Sequence, residues 1–255
     1  AQRARALYPA SGAVHTAAAE ALWHGGEALE DLLPPLAAMR APLPAGDDRF
    51  RVDLALADYQ RKLGRIAPAL AAYDAALAHQ ADSPEGLWGK AATLALAERW
   101  DEAFALYEQV LRLRTGLVAL RADFIRDLLR AGRLEPAWVQ LKEALLLDAA
   151  DPTLLALQAW LSLAGERDAA TALRQAGAAL AQGPWCDLAL IVKAAALRAL
   201  DREAEAEAAV APLRRRITER APPAYVYRAQ QASWLSVHEL TAVELSLLES
   251  LVGRR

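Results

Sequence analysis

The 255-residue chain contains no asparagine, one cysteine, one methionine, four histidines and four lysines against 25 arginines. A single cysteine, Cys186, cannot build a disulfide framework, and no histidine lies near it in sequence to activate a thiolate. His15, His24, His79 and His238 are scattered, with no His-x₃-His pair, and His238-Glu239 is not followed by a second histidine. No metal site is expected from them. Charge of one sign is also missing. The net charge of −3 and pI near 5.9 leave no basic footprint of the kind nucleic-acid binding requires. No apolar run of about 18 residues is free of charge, so no membrane insertion is expected. Residues 1–10 carry Arg3 and Arg5 but no apolar signal segment.

Phosphate-cradling motifs are absent too. Gly25-Gly26 is not followed by Gly-Lys-Ser/Thr, and no strand pattern precedes it. The carboxylates of Glu203, Glu205 and Glu207 alternate around a helix rather than pairing on one face. No nucleophile, base and orienting group come together in sequence, so the chain reads as a non-enzyme with no cofactor.

What is present is alanine, about a quarter of the residues, which carries the highest helix propensity. With 13 glycines and 13 prolines to break helices, the composition predicts an all-α protein and excludes an all-β one. The arginine-over-lysine bias and the alanine load fit a GC-rich bacterial genome. The chain is expected in the bacterial cytoplasm, or in the periplasm if a signal peptide was removed before Ala1. A start at Ala1 rather than methionine fits a chain that was processed or cut from a larger one.

The alanines are not spread at random. Gly64-Arg65-Ile66-Ala67-Pro68-Ala69 matches Gly132-Arg133-Leu134-Glu135-Pro136-Ala137 at an offset of 68, twice 34. Midway, Trp100 to Glu108 lies over Ile66 to Asp74 at an offset of 34. Downstream, Gly165 leads to Ala170 with one residue deleted, and Ala204 follows Ala170 by 34. Such a period marks a stack of supersecondary units in which each repeat buries its apolar face on its neighbours.

These residues resemble the tetratricopeptide repeat family, whose unit is a 34-residue helix–turn–helix. Leu56 and Ala57 fill its first-helix Leu-Gly slot, and Gly64 and Gly132 its inter-helix turn. Ala69, Ala103, Ala137, Ala170 and Ala204 fill the small position of the second helix. Tyr73, Tyr107 and Leu141 fill the large one, and Ala76, Val110 and Ala144 the next small one. Pro84, Pro152 and Pro184 stand near the repeat boundaries. The first-helix tryptophan is missing, Glu98 replaces a turn glycine, and Arg174 takes the large slot of the fourth repeat. The resemblance implies an all-α, right-handed α-solenoid with five repeats at 50–83, 84–117, 118–150, 151–184 and 185–218, flanked by divergent helical caps. The N-terminal cap is residues 1–46, with a helix over 12–24 and a second over 27–40 that Pro34-Pro35 interrupts. The C-terminal one is residues 222–255: a break at Pro222-Pro223, a helix over 224–235, and a last helix starting at the capping box Ser236–Glu239. Its apolar stripe is Leu240, Val243, Leu247, Leu248 and Leu251.

In that family the first helices line a groove for a peptide or an extended partner segment. Its positions fall on Arg51, Asp58, Arg61 and Lys62, on Glu85 and Trp88, on Arg126 and Arg130, and on Lys193. This set is more basic than the whole chain, with Trp88 as an apolar anchor, so an acidic or carboxylate-terminated peptide is the expected partner. Lacking asparagine, the chain cannot form the carboxylate clamp of the chaperone-binding members, nor the asparagine ladder of the glycosyltransferase members. An interaction scaffold is the leading reading. A recruiting domain of a larger bacterial transferase or oxygenase, and a periplasmic assembly or polysaccharide-export module, are the alternatives. Self-association is a further expectation, because solenoid ends expose apolar surface.

Overall fold

The computed structural model describes residues 11–24, 29–41 and 43–219. Among them it forms twelve α-helices and no strand. The chain divides at Thr115/Gly116 into two compact units.

The first unit holds α1 (Gly12–His24), α2 (Leu29–Arg40), α3 (Asp47–Lys62), α4 (Ile66–Leu77), α5 (Pro84–Leu96) and α6 (Trp100–Leu113). Helices α1 and α2 pack on α3. The Asp48 carboxylate, in the first turn of α3, accepts the Ala13 N–H at 3.1 Å and so caps the start of α1 from another helix. Contrary to expectation, α2 runs unbroken through Pro34-Pro35. The two prolines deprive the Glu30 and Asp31 carbonyls of their helical N–H partners. Glu30, Asp31 and Pro34 are all exposed, so water can serve those carbonyls. On the other side Leu32, Leu33, Leu36 and Met39 join Ala19, Val52, Leu56 and Tyr59 in one core, and that burial holds the helix.

The second unit holds α7 (Val118–Arg130), α8 (Leu134–Leu147), α9 (Pro152–Ala164), α10 (Ala169–Gln182), α11 (Asp187–Ala199) and α12 (Glu203–Glu219). First helices α7, α9 and α11 touch in succession, and each second helix packs on its own first helix and, for α8 and α10, on the next one. Within the first unit α3 and α5 are related in the same way, with α4 against α5. Where residues were expected to form helices beyond Pro222-Pro223, they lie outside the described residues.

The helix pairs share one turn. Gly64, Glu98, Gly132, Arg167 and Asp201 all take left-handed φ values, between 55° and 72°. The next residue then donates back to the first helix: Arg65 to the Gln60 carbonyl at 2.9 Å, Arg99 to Leu94 at 2.9 Å, Arg133 to Leu128 at 2.8 Å and Arg202 to Leu197 at 2.9 Å. Glycine adopts this conformation without strain, whereas Glu98, Arg167 and Asp201 each carry a cost of about 1–2 kcal/mol. In the fourth repeat the corresponding bond runs from Asp168 to Ser162, at 3.1 Å, across one more residue. That turn is therefore longer by one residue, not shorter.

The insertion corrects the register downstream. The small position that closes each helix crossing is Ala69, Ala103, Ala137, Ala172 and Ala206, all fully buried. Ala170 and Ala204 are exposed. The large position is Tyr73, Tyr107, Leu141, Ala176 and Val210, and Arg174 is exposed, not in it. The third column is Ala76, Val110, Ala144, Ala179 and Leu213, again buried. Gly165, which suggested the deletion, has φ −90° and is an ordinary helix end.

N-caps set the helix starts. Ser83 accepts the Gly86 N–H at 3.2 Å and Asp151 the Leu154 N–H at 2.9 Å, each with proline at the first helical position.

Candidate partner-binding site

Helix α3 is enclosed on most of its circumference, because α1, α2, α4 and α5 all pack against it. Two of the expected groove residues consequently point inward. Asp58 and Arg61 are buried with Tyr73: the Tyr73 hydroxyl donates to Asp58 Oδ1, Arg61 Nε donates to the Tyr73 oxygen at 2.9 Å, and Arg61 Nη2 reaches Asp58 at 3.2 Å. A buried cation and anion of this kind hold each other, and removing one strands the other. Their charges serve the α3–α4 crossing rather than a ligand. The Tyr73 ring also leaves room only for hydrogen at Gly89, where an added Cβ would fall 2.4 Å from ring carbon.

Lys62, at the end of α3, stands 4.0 Å over the Trp23 ring of α1 and 5.3 Å from that of Tyr59, a cation–π stack that ties α1 to the repeats. Burial, with Glu20 and Asp58 nearby, pushes the Tyr59 hydroxyl pKa above its ordinary value. Arg51 is exposed. On α5, Glu85 accepts from the Ser83 hydroxyl at 3.1 Å and lies 3.7 Å from Arg114, while Trp88 is half-buried.

The charge pattern of α7 repeats one geometry. Arg126 reaches Asp123 at 2.6 Å and Arg130 reaches Asp127 at 3.0 Å, both three residues back on the same helix. The basic surface expected here is thus partly neutralised in place, by aspartates that sequence reasoning left out of the groove set. Their i, i+3 spacing was the signal for them. Arg121, also missed, is buried and bridges to α8, with Gln140 and Glu143 each at 2.6 Å. The inserted residue moves the fifth repeat relative to this column: Lys193, half-buried, aligns with Lys90 rather than with Arg126. The first-helix arginine of that repeat is Arg198, held by Glu203 at 2.8 Å and by Glu207.

Among the described residues no group of three or more His, Cys, Asp or Glu side chains could hold a metal ion. No helix among them is long and apolar enough to cross a membrane. Cys186 is buried, with its sulfur 3.6 Å from the Pro152 carbonyl.

No family model matches the chain, and no curated protein matches it in sequence. Solved structures do. One is a tetratricopeptide repeat protein from Parabacteroides merdae, with TM-score 0.64 and 17% identity over 94% of this chain and 93% of that one. A thermophilic tetratricopeptide protein of Thermus thermophilus has TM-score 0.59 and 20% identity over 73% and 99% of the two chains. PilF of Pseudomonas aeruginosa has TM-score 0.60 and 17% identity over 80% and 90%.

Proposed function

We propose that this chain, which has the fold of the tetratricopeptide repeat proteins, is a non-catalytic scaffold that holds a segment of a protein partner against its first helices. The observation that carries this reading is the α7 face. Arg126 and Arg130 lie one turn apart there, each oriented by its own aspartate. Such preset guanidinium groups can donate to a partner's carboxylates or carbonyls with little ordering cost. Asp123 and Asp127 compete with an acidic partner for those arginines, so the favoured segment is one of mixed charge whose acidic groups meet Arg126 and Arg130. In the first unit, Trp88 on α5 supplies a half-buried aromatic surface, the residue type that dominates interface hot spots.

The test is capture of partners on immobilised wild-type chain against the Arg126→Gln plus Arg130→Gln variant. Glutamine removes both cations without setting new like charges beside Asp123 and Asp127. A partner lost with the variant supports the α7 face. Undiminished capture removes these two residues from the site.

A further inference from the structure

A different face of the second unit has the marks of a contact surface. On α8 the side chains of Ala137, Leu141 and Ala144 are fully buried, and directly opposite them runs a stripe open to solvent. It contains Val139 at 54% and Leu146 at 87% exposure, with Leu147, 50% exposed, around the helix to one side of it. Val139 and Leu146 are seven residues apart, two turns on one line of the helix. Lys142 and Glu143 sit between them, both exposed and one on each side of that line. Glu143 is fixed by Arg121, whose buried guanidinium holds it at 2.6 Å.

We infer that this stripe is a self-association surface, on which α8 of one chain packs parallel to α8 of a second copy. The charge pattern chooses both the occupant and its direction. A two-fold axis along the helix brings Val139 onto its counterpart and Leu146 onto its counterpart. It also brings Lys142 of each chain to Glu143 of the other, because the axis exchanges the two sides of the stripe. Two apolar layers flanking two reciprocal ion pairs make the surface complementary to itself, as a two-fold contact requires. An antiparallel pairing in the same register keeps each side facing its own kind. It would set Lys142 against Lys142 and Glu143 against Glu143, which is repulsive. The hold of Arg121 on Glu143 reduces the ordering cost of the pair. One helix per chain makes a small interface, so the association is weak and concentration-dependent.

Sedimentation velocity on the full 255-residue chain tests this, over about 10 μM to about 1 mM, where a small interface associates. The wild type is expected to shift from monomer to dimer across that range. Leu146→Glu should stay monomeric with an unchanged circular dichroism melt, since this side chain is 87% exposed. Lys142→Glu and Glu143→Lys each turn both ion pairs repulsive and should weaken association by on the order of tenfold. An equal mixture of these two variants restores both attractions and should dimerise more tightly than either variant alone. Three outcomes overturn the inference: a wild type that is monomeric throughout, a Leu146→Glu dimer, or a mixture no better than either variant alone. The first would leave the stripe to another protein, or to the chain's own apolar residues Leu240 to Leu251.

Discussion

Replacing Ala172 with leucine separates two registers for the fourth repeat that differ by only two residues. Ala172 is fully buried on α10, in the column occupied by Ala137 on α8 and Ala206 on α12. A leucine adds three carbons at this fully buried crossing, and such overpacking costs about 1–3 kcal/mol. Ala170 is exposed, and a leucine there should stay within about 0.5 kcal/mol of wild type. In a chain of this size each kcal/mol moves the melting temperature by about 2–4 °C. Ala172→Leu is therefore expected to melt roughly 2–12 °C lower, and Ala170→Leu within about 2 °C of wild type. Circular dichroism melts of both variants, with Ala206→Leu and Ala204→Leu as a second pair, give the comparison. A destabilised Ala170→Leu beside a silent Ala172→Leu would refute the inserted turn and restore the shorter one.

Other expectations follow from single contacts. Gly89→Ala should lose about 1–3 kcal/mol, because the new methyl meets a tyrosine ring that Asp58 and Arg61 hold in place. Gly177→Ala, exposed on α10 with open space around it, should gain about 0.5–1 kcal/mol, so urea midpoints moving the same way in both would contradict the geometry. Arg61→Ala leaves the Asp58 charge buried beside Tyr73 and should cost about 3 kcal/mol; a loss under about 1 kcal/mol would show that the pair does not hold the crossing. Asp168 caps α10 through the Thr171 side chain and backbone N–H, and these bonds hold its carboxyl below the usual aspartate range. The stability from that depressed pKa is present above the unfolded-state value and is lost as pH falls through the folded one. Asp151, the cap of α9, is shifted upward instead, by burial. Carbon-detected NMR titration should therefore find Asp168 titrating below Asp151, and the reverse order would be inconsistent with these caps.

The helix pairs were legible because the turn and the crossing impose residue types at a fixed interval. Left-handed backbone favours Gly64 and Gly132, and close approach favours Ala69, Ala103 and Ala137. Pattern misleads where those types occur without their cause. Gly165 looks like a turn glycine but ends a helix, while the left-handed position is Arg167, a residue with no preference for it. In an alanine-rich helix, Ala170 and Ala172 look equally suited to the crossing, and only the three-dimensional packing separates them. Pro34-Pro35 looked like a break because local chemistry says so, yet burial of Leu32, Leu33, Leu36 and Met39 outweighs two lost hydrogen bonds. At the candidate site, pattern placed residues on first helices but could not tell inward from outward. Asp58 and Arg61 fall on groove positions by number and are drawn inside by Tyr73, a partner from the neighbouring helix. The pairing of Arg126 and Arg130 was present in the spacing of Asp123 and Asp127, which the motif positions skip.

Cross-linking mass spectrometry on a partner complex captured with the full chain tests the scaffold reading most directly. Cross-links from the partner to α7, around Arg126 and Arg130, are the predicted result. Their loss together with capture in the Arg126→Gln plus Arg130→Gln variant should accompany them. Cross-links confined to second helices, with capture unchanged in that variant, would contradict it.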